Sequence, residues 1–204
     1  MSCLRDKVIW AITAAMLVVA AAVPAVAADD TAAGGTAAWG KVGGWQIRVD
    51  RSIGDGCFAL QGYSDGSVLR LGFDMTRKAI YLVVGNDKWR SIELGKLYRI
   101  DFVFDGTTRY SGDFRGARLG AGVFLVGTSL TLDFTRDFMQ RNAVRIYYHG
   151  ALISSLSLRN TYAAVGEVIH CQQEIAASGS SGGRRIGSAT PFAGDPVTAG
   201  DPFR

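Results

Sequence analysis

Two cysteines, two histidines and one close pair of aspartates are the side chains in the body of this chain whose types and spacing invite chemistry. Cys57 and Cys171 lie more than a hundred residues apart. They lack the short C-x-x-C spacing of a zinc site. Two buried thiols or one disulfide remain, and an even count in an oxidising compartment points to the disulfide. On the chain-entropy model, closing so long a loop is worth ~4–5 kcal/mol, less any strain. His170, beside Cys171, reads as a residue of a helix's last turn answering the helix dipole rather than as a ligand. His149 lies in Tyr147-Tyr148-His149-Gly150, at a strand end before a turn. A triad using it with Ser154 or Ser155 has no further support in the sequence. Asp101 and Asp105 fall on one strand face with Arg99, in the manner of paired carboxylates, but a solvated face of alternating charge accounts for them as well. The sequence contains no G-x-S-x-G elbow, no H-E-x-x-H and no glycine-rich phosphate loop. Nor does any carboxylate cluster have calcium-loop spacing. The expectation is a protein that is not an enzyme and needs no cofactor or metal.

A binding role has more to stand on. In Asn86-Asp87-Lys88-Trp89-Arg90-Ser91 a tryptophan sits among polar residues. It is either an exposed anchor for a protein or envelope component, flanked by Asn86, Lys88 and Arg90, or a plug closing one end of the fold with Ile92 and Leu94. The plug is the favoured reading. Net charge is +4, and about +3 once Arg5, Asp6 and Lys7 are set aside. The basic residues are scattered, without the polybasic run or aromatic-basic platform that nucleic acid requires.

The elements that must position these residues follow from patterning. Residues 1–28 have a basic start, an apolar run from Val8 to Val23, Pro24, and an Ala-x-Ala exit before Asp29. These are the three parts of a secretory signal peptide. They predict a mature chain that is periplasmic or secreted, with no stable membrane span after cleavage. Residues 29–44, rich in Ala and Gly, read as a flexible lead-in. Over 45–173 apolar residues alternate with polar ones at the two-residue period of half-buried strands. Trp45, Ile47 and Val49 form one face, as do Leu69, Leu71 and Phe73; Tyr98, Ile100, Phe102 and Phe104; Tyr110 and Phe114; Val144, Ile146 and Tyr148; and Leu152, Ser154, Leu156 and Leu158. Cys57–Tyr63 and Ile80–Val84 are apolar on both faces and read as central strands. SDGS, GND, FDGTT, RGARLGAG and YHG supply the breaks. Two short helices interrupt the strands, one capped by Asp133 and one capped by Asn160 or Thr161 and ended by Cys171. The fold expected is mainly β, an antiparallel β-sandwich or flattened barrel, with the second helix at the C-terminal end of the domain. Residues 174–204 are poor in large apolar residues and without periodicity, and are expected to be disordered.

Gly44-Trp45 opens the first of these strands and Cys57 the second, helix Asp133–Arg141 leads into strand Ala143–His149, and Ser154-Ser155-Leu156-Ser157-Leu158 feeds the last helix. In this layout the chain resembles small exported proteins of alphaproteobacteria, including the invasion-associated locus B family. The family carries more cysteines in the middle of the chain than are present here. The resemblance implies an exported β-sandwich linked to host-cell entry. Taken with the absent catalytic motifs, the functional expectation is an exported envelope binding protein. The alternative is an inhibitor or accessory subunit of an extracytoplasmic enzyme.

Overall fold

The structure is a computed structural model and describes residues 35–128, 130–178 and 201–203. Residues 1–34, which hold Cys3 and the segment expected to be a signal peptide, and most of the tail lie outside the described residues. Ten strands follow one another: β1 Thr36–Val42, β2 Trp45–Asp50, β3 Gly56–Gly62, β4 Ser67–Asp74, β5 Ala79–Asn86, β6 Leu97–Phe104, β7 Thr108–Leu119, β8 Gly122–Thr128, β9 Ala143–Tyr148 and β10 Ala151–Ser157. Helix α1, Leu132–Gln140, precedes β9, and α2, Thr161–Ser178, follows β10. The strands form one antiparallel sheet in the order β1-β2-β3-β4-β5-β8-β7-β6-β9-β10. Its ladder is open, with β1 and β10 at the ends. The sheet folds over so that its two halves share a core, Ile47, Leu69, Leu82 and Val84 from one and Ile100, Phe102, Val144, Ile146 and Leu156 from the other. This is the mainly β, sandwich-like architecture with two helices that the alternation predicts.

Consecutive strands are neighbours in the sheet except at two connections, β8 to β9, which carries α1, and β5 to β6. From β5 the chain passes over β8 and β7 before entering the sheet again as β6. That crossing is made by the segment carrying Trp89.

The alternating stripes land as the pattern requires: Tyr98, Ile100, Phe102 and Phe104 are buried while Arg99 is exposed. β3 and β5, apolar on both faces, are interior strands. Their second face is buried in a separate cluster of Phe58, Leu60, Tyr81, Val83 and Phe124.

Several expectations are corrected. The lead-in is not flexible throughout, because β1 pairs with β2 and Trp39 Nε1 donates to Glu167 Oε1 of α2 at 3.1 Å. Its Ala/Gly composition hides a strand whose stability comes from pairing rather than propensity. RGARLGAG is not wholly a break: β7 runs on through Arg115–Leu119, which pair with β8, and the turn is at Gly120 and Ala121. Leu152 does not share a face with Ser154 and Leu156. A register shift between Leu152 and Ser154 leaves Leu152 exposed, the usual effect of a bulge on alternation.

Thr131, not Asp133, caps α1, its hydroxyl accepting from the Phe134 N–H at 3.2 Å. Ahead of α2, the Asn160 side-chain amide donates to Gly43 O and the Thr161 hydroxyl to Leu158 O. α2 does not end at Cys171 but continues to Ser178. His170 therefore lies mid-helix, edge-on to Trp39, its two ring nitrogens facing Glu167 at 3.3 Å and Glu174 at 3.1 Å.

Cys57 and Cys171 are joined, with a Cα–Cα distance of 6.1 Å. Beside the bridge, the Cys57 N–H donates to Gln172 Oε1 at 2.9 Å. α1 is tied down by polar contacts: the Tyr110 hydroxyl of β7 donates to Asp137 Oδ2 at 2.6 Å and Arg141 Nε to Asp137 Oδ1 at 2.9 Å. The Tyr110 bond, seconded by Arg141, holds the Asp137 carboxyl below its ordinary range, and the same bond pushes Tyr110 up to about 12. A carboxyl depressed on folding stabilises the fold above its unfolded pKa, and that contribution disappears as pH falls through the folded value. Asp137→Asn is expected to cost about 1–3 kcal/mol at neutral pH. In urea titrations the difference from wild type should shrink as pH drops below ~4. A difference that stays constant down to strong acid would show that the Asp137 charge contributes nothing.

Candidate binding site

The crossing between β5 and β6 is built on the last residue of β5. The Asn86 side-chain oxygen accepts from the Lys88 N–H at 3.0 Å, and Trp89 N–H bonds to Asn86 O at 3.0 Å. Asparagine folds the chain back on itself in this way because its short amide mimics a backbone turn. The other end of the Asn86 amide reaches the neighbouring hairpin, donating to Ser67 Oγ at 2.8 Å and Asp65 O at 3.2 Å. Ser67 is buried, and its hydroxyl also meets the Ser154 hydroxyl of β10 at 3.1 Å. Gly66, with φ of 85°, lies so close that a Cβ there would meet the Asp87 carboxylate at 2.2 Å. The crossing is thus pinned to the β3–β4 turn and to β10.

Between these pieces lies a cleft of about 600 Å³ lined by Tyr63, Ser67, Asn86, Arg90, Val123 and Phe124, among others. The volume falls in the range of ligand pockets. Its floor is the Phe124 ring, which packs onto β5 where Gly85 leaves no Cβ in the way. At the rim, Tyr63 donates its hydroxyl to Ser157 O at 2.7 Å. Burial, seconded by the Asp65 charge, raises its pKa well above the ordinary tyrosine value, so it remains a donor. Arg90 and Asp87 are exposed, offering both signs of charge.

Of the four loop residues singled out from sequence, Asn86, Trp89 and Arg90 line the cleft; Lys88, half-buried, is not among its lining residues. Trp89 is 4% exposed and joins the core with Ile92, so it plugs rather than projects. Leu94, expected to plug with it, is 55% exposed. The other candidates are not assembled. His149 sits at the β9–β10 turn with φ of 48°, its ring against Tyr148 at 4.1 Å, while the Ser154 hydroxyl meets Ser67 and Ser155 is exposed. Asp105 lies beyond the end of β6 and accepts from the Ala143 N–H at 3.0 Å, whereas Asp101 bonds Ser111 and Arg109. Among the described residues, no group of three or more His, Cys, Asp or Glu could hold a metal.

Sequence reasoning missed what lies on the other side of Trp89. Residues 201–203 belong to the tail expected to be disordered, yet Phe203 is 8% exposed. Its ring lies 5.3 Å from Trp89, 5.1 Å from Tyr98 and 4.7 Å from Tyr148. Asp201 Oδ2 accepts from the backbone N–H and the hydroxyl of Ser91, and Asp201 Oδ1 from the Phe203 N–H at 3.0 Å. Burial alone would push the Asp201 carboxyl up. The donors from Ser91, Phe203 and Arg90 outweigh it and hold the carboxyl below its ordinary value. The signal available in the sequence was the Asp-Pro-Phe turn, a short-range structure within an otherwise featureless tail.

No family model matches the chain, and no curated protein does. Among solved structures it is similar to the crystal structure of invasion associated protein B from Bartonella henselae, with 10% identity and a TM-score of 0.48, over 66% of this chain and 97% of that one. Among the described residues, no helix is long and apolar enough to cross a membrane.

As a buried plug, Trp89→Ala should cost on the order of 3 kcal/mol. Scanning calorimetry should then show a fall in Tm of roughly 10 °C. A melting point unchanged by the substitution would restore the exposed-anchor reading.

Proposed function

We propose that the chain is an exported, non-enzymatic binding protein of the bacterial envelope that works through the β5–β6 crossing and the cleft beside it. The observation that carries this is the cleft itself, with an apolar floor at Phe124 and Val123 and polar groups from Asn86, Asp87 and Arg90 around it. An apolar centre with a few fixed polar groups is the composition of a recognition site. The walls are pre-organised, since the Asn86 and Ser67 hydrogen bonds are already made, so a ligand need not order them. Of the described residues, no histidine or cysteine lines the cleft. The cleft's hydroxyls are engaged, Tyr63 with Ser157 and Ser67 with Asn86 and Ser154. That arrangement suits holding a partner better than activating a nucleophile.

A periplasmic or secreted location fits the disulfide. Linkage to host-cell entry, implied by the layout resemblance, belongs to this reading as one kind of partner. Inhibition of an extracytoplasmic enzyme is the other use of the same surface.

The test is affinity capture from an envelope extract with the mature protein and with Arg90→Glu, followed by mass spectrometry. Arg90 is exposed, so the variant should keep the wild-type Tm within a degree or two. A partner captured by wild type and reduced at least about tenfold with Arg90→Glu supports the cleft, since loss of a well-placed charge contact costs a kilocalorie or more. Identical capture by both proteins contradicts it. Stoichiometric suppression of a captured hydrolase would identify the partner as an inhibited enzyme.

A further inference from the structure

Residues 201–203 pack into a groove formed by Trp89, which also lines the cleft, and by Ser91, Tyr98 and Tyr148, which do not. We propose that this groove is a recognition site for a short Asp-Pro-aromatic peptide, and that its resident ligand is the chain's own Asp201-Pro202-Phe203. The inference does not rest on the cleft having a partner.

The recognition elements are distinct. Three rings meet Phe203, edge-on from Trp89 and Tyr98 at interplanar angles of 72° and 83° and tilted from Tyr148 at 37°. Edge-on packing places positive ring edges on negative ring faces, and it specifies an aromatic rather than merely an apolar side chain. The acidic residue is read by the Ser91 N–H and hydroxyl, both on the same oxygen. The second oxygen closes a turn onto the Phe203 N–H, and Pro202 between them has its φ fixed by its ring. A segment of this composition therefore carries much of its bound shape before it binds, which lowers the ordering cost.

The final eleven residues contain Gly-Asp-Pro twice, at 194–196 and 200–202, followed by Val197 and Phe203 respectively. Asp201-Pro202, the copy followed by the aromatic residue, is the one among the described residues. The groove also exists without the tail's help: Trp89 is held by the Asn86 turn, and Tyr98 is fixed by accepting from the Glu93 N–H at 2.8 Å. Because the tail is covalently attached, it competes at an effective concentration on the order of millimolar. A segment of the same chemistry on another protein would have to displace it.

Fluorescence anisotropy with a labelled Gly-Asp-Pro-Phe-Arg peptide tests this on the full chain. Wild type should bind the peptide weakly. The full chain carrying Asp201→Ala and Phe203→Ala should bind it about tenfold more tightly, because the competing tail is gone. Adding Ser91→Ala to that chain, or replacing Phe by Ala in the peptide, should abolish the gain. If the double variant melts early, saturating peptide should restore the wild-type Tm. Equal binding to both chains, no binding to either, or failure to restore Tm would overturn the proposal. A wild-type dimer in sedimentation that the double variant loses would overturn the assignment to the same chain and place the tail in a second copy.

Discussion

The bridge between Cys57 and Cys171 is the constraint on which the rest depends. An open ladder of ten strands does not seal its own core, and α2 does so by laying Ala164, Val165, Val168 and Cys171 into it against β1, β2 and β3. The bridge spans 114 residues, so the unfolded chain it restrains loses a large share of its freedom, about 5 kcal/mol on the chain-entropy account. That is comparable with the whole stability of a small domain. With α2 fixed, Trp39 of β1 gains its partner Glu167, and the edge strand is held in place.

A second constraint keeps the half of the sheet that ends in the candidate site in register. On the outer face, the Arg70 guanidinium lies 3.6 Å from the centre of the Phe58 ring. Its Nε donates to the Tyr81 hydroxyl at 2.6 Å and its Nη2 to Asp50 at 2.5 Å. These groups come from β2, β3, β4 and β5 and are all nearly buried. A buried charge persists only when paired and hydrogen-bonded, so the arrangement penalises slippage of any of the four strands more than it adds stability. β5 therefore delivers Asn86 to a fixed place, and the crossing starts from there.

The strands were legible because half-burial writes a two-residue period that survives local composition, as in Tyr98–Phe104. The pairing of Cys57 with Cys171 followed from their number, and the wide separation left no local alternative. What escaped is set by partners distant in sequence or by backbone geometry. β1 is held by β2 and α2, contacts made across the fold. The displaced Leu152 comes from a bulge, which backbone geometry sets and composition does not. Trp89 in a polar loop was readable both ways, because exposure depends on what the crossing packs against. The seat of Phe203 needed groups from β6, β9 and the crossing together, which no stretch of sequence shows.

An oxidised staple between Cys57 and Cys171 holds α2 on the sheet and so makes the scaffold rigid. The most direct measurement is the intact mass of the natively purified chain, denatured and treated with an alkylating agent without reductant. No alkyl group is expected at Cys57 or Cys171 before reduction, and two after it. Alkylation of both residues before any reduction would contradict it.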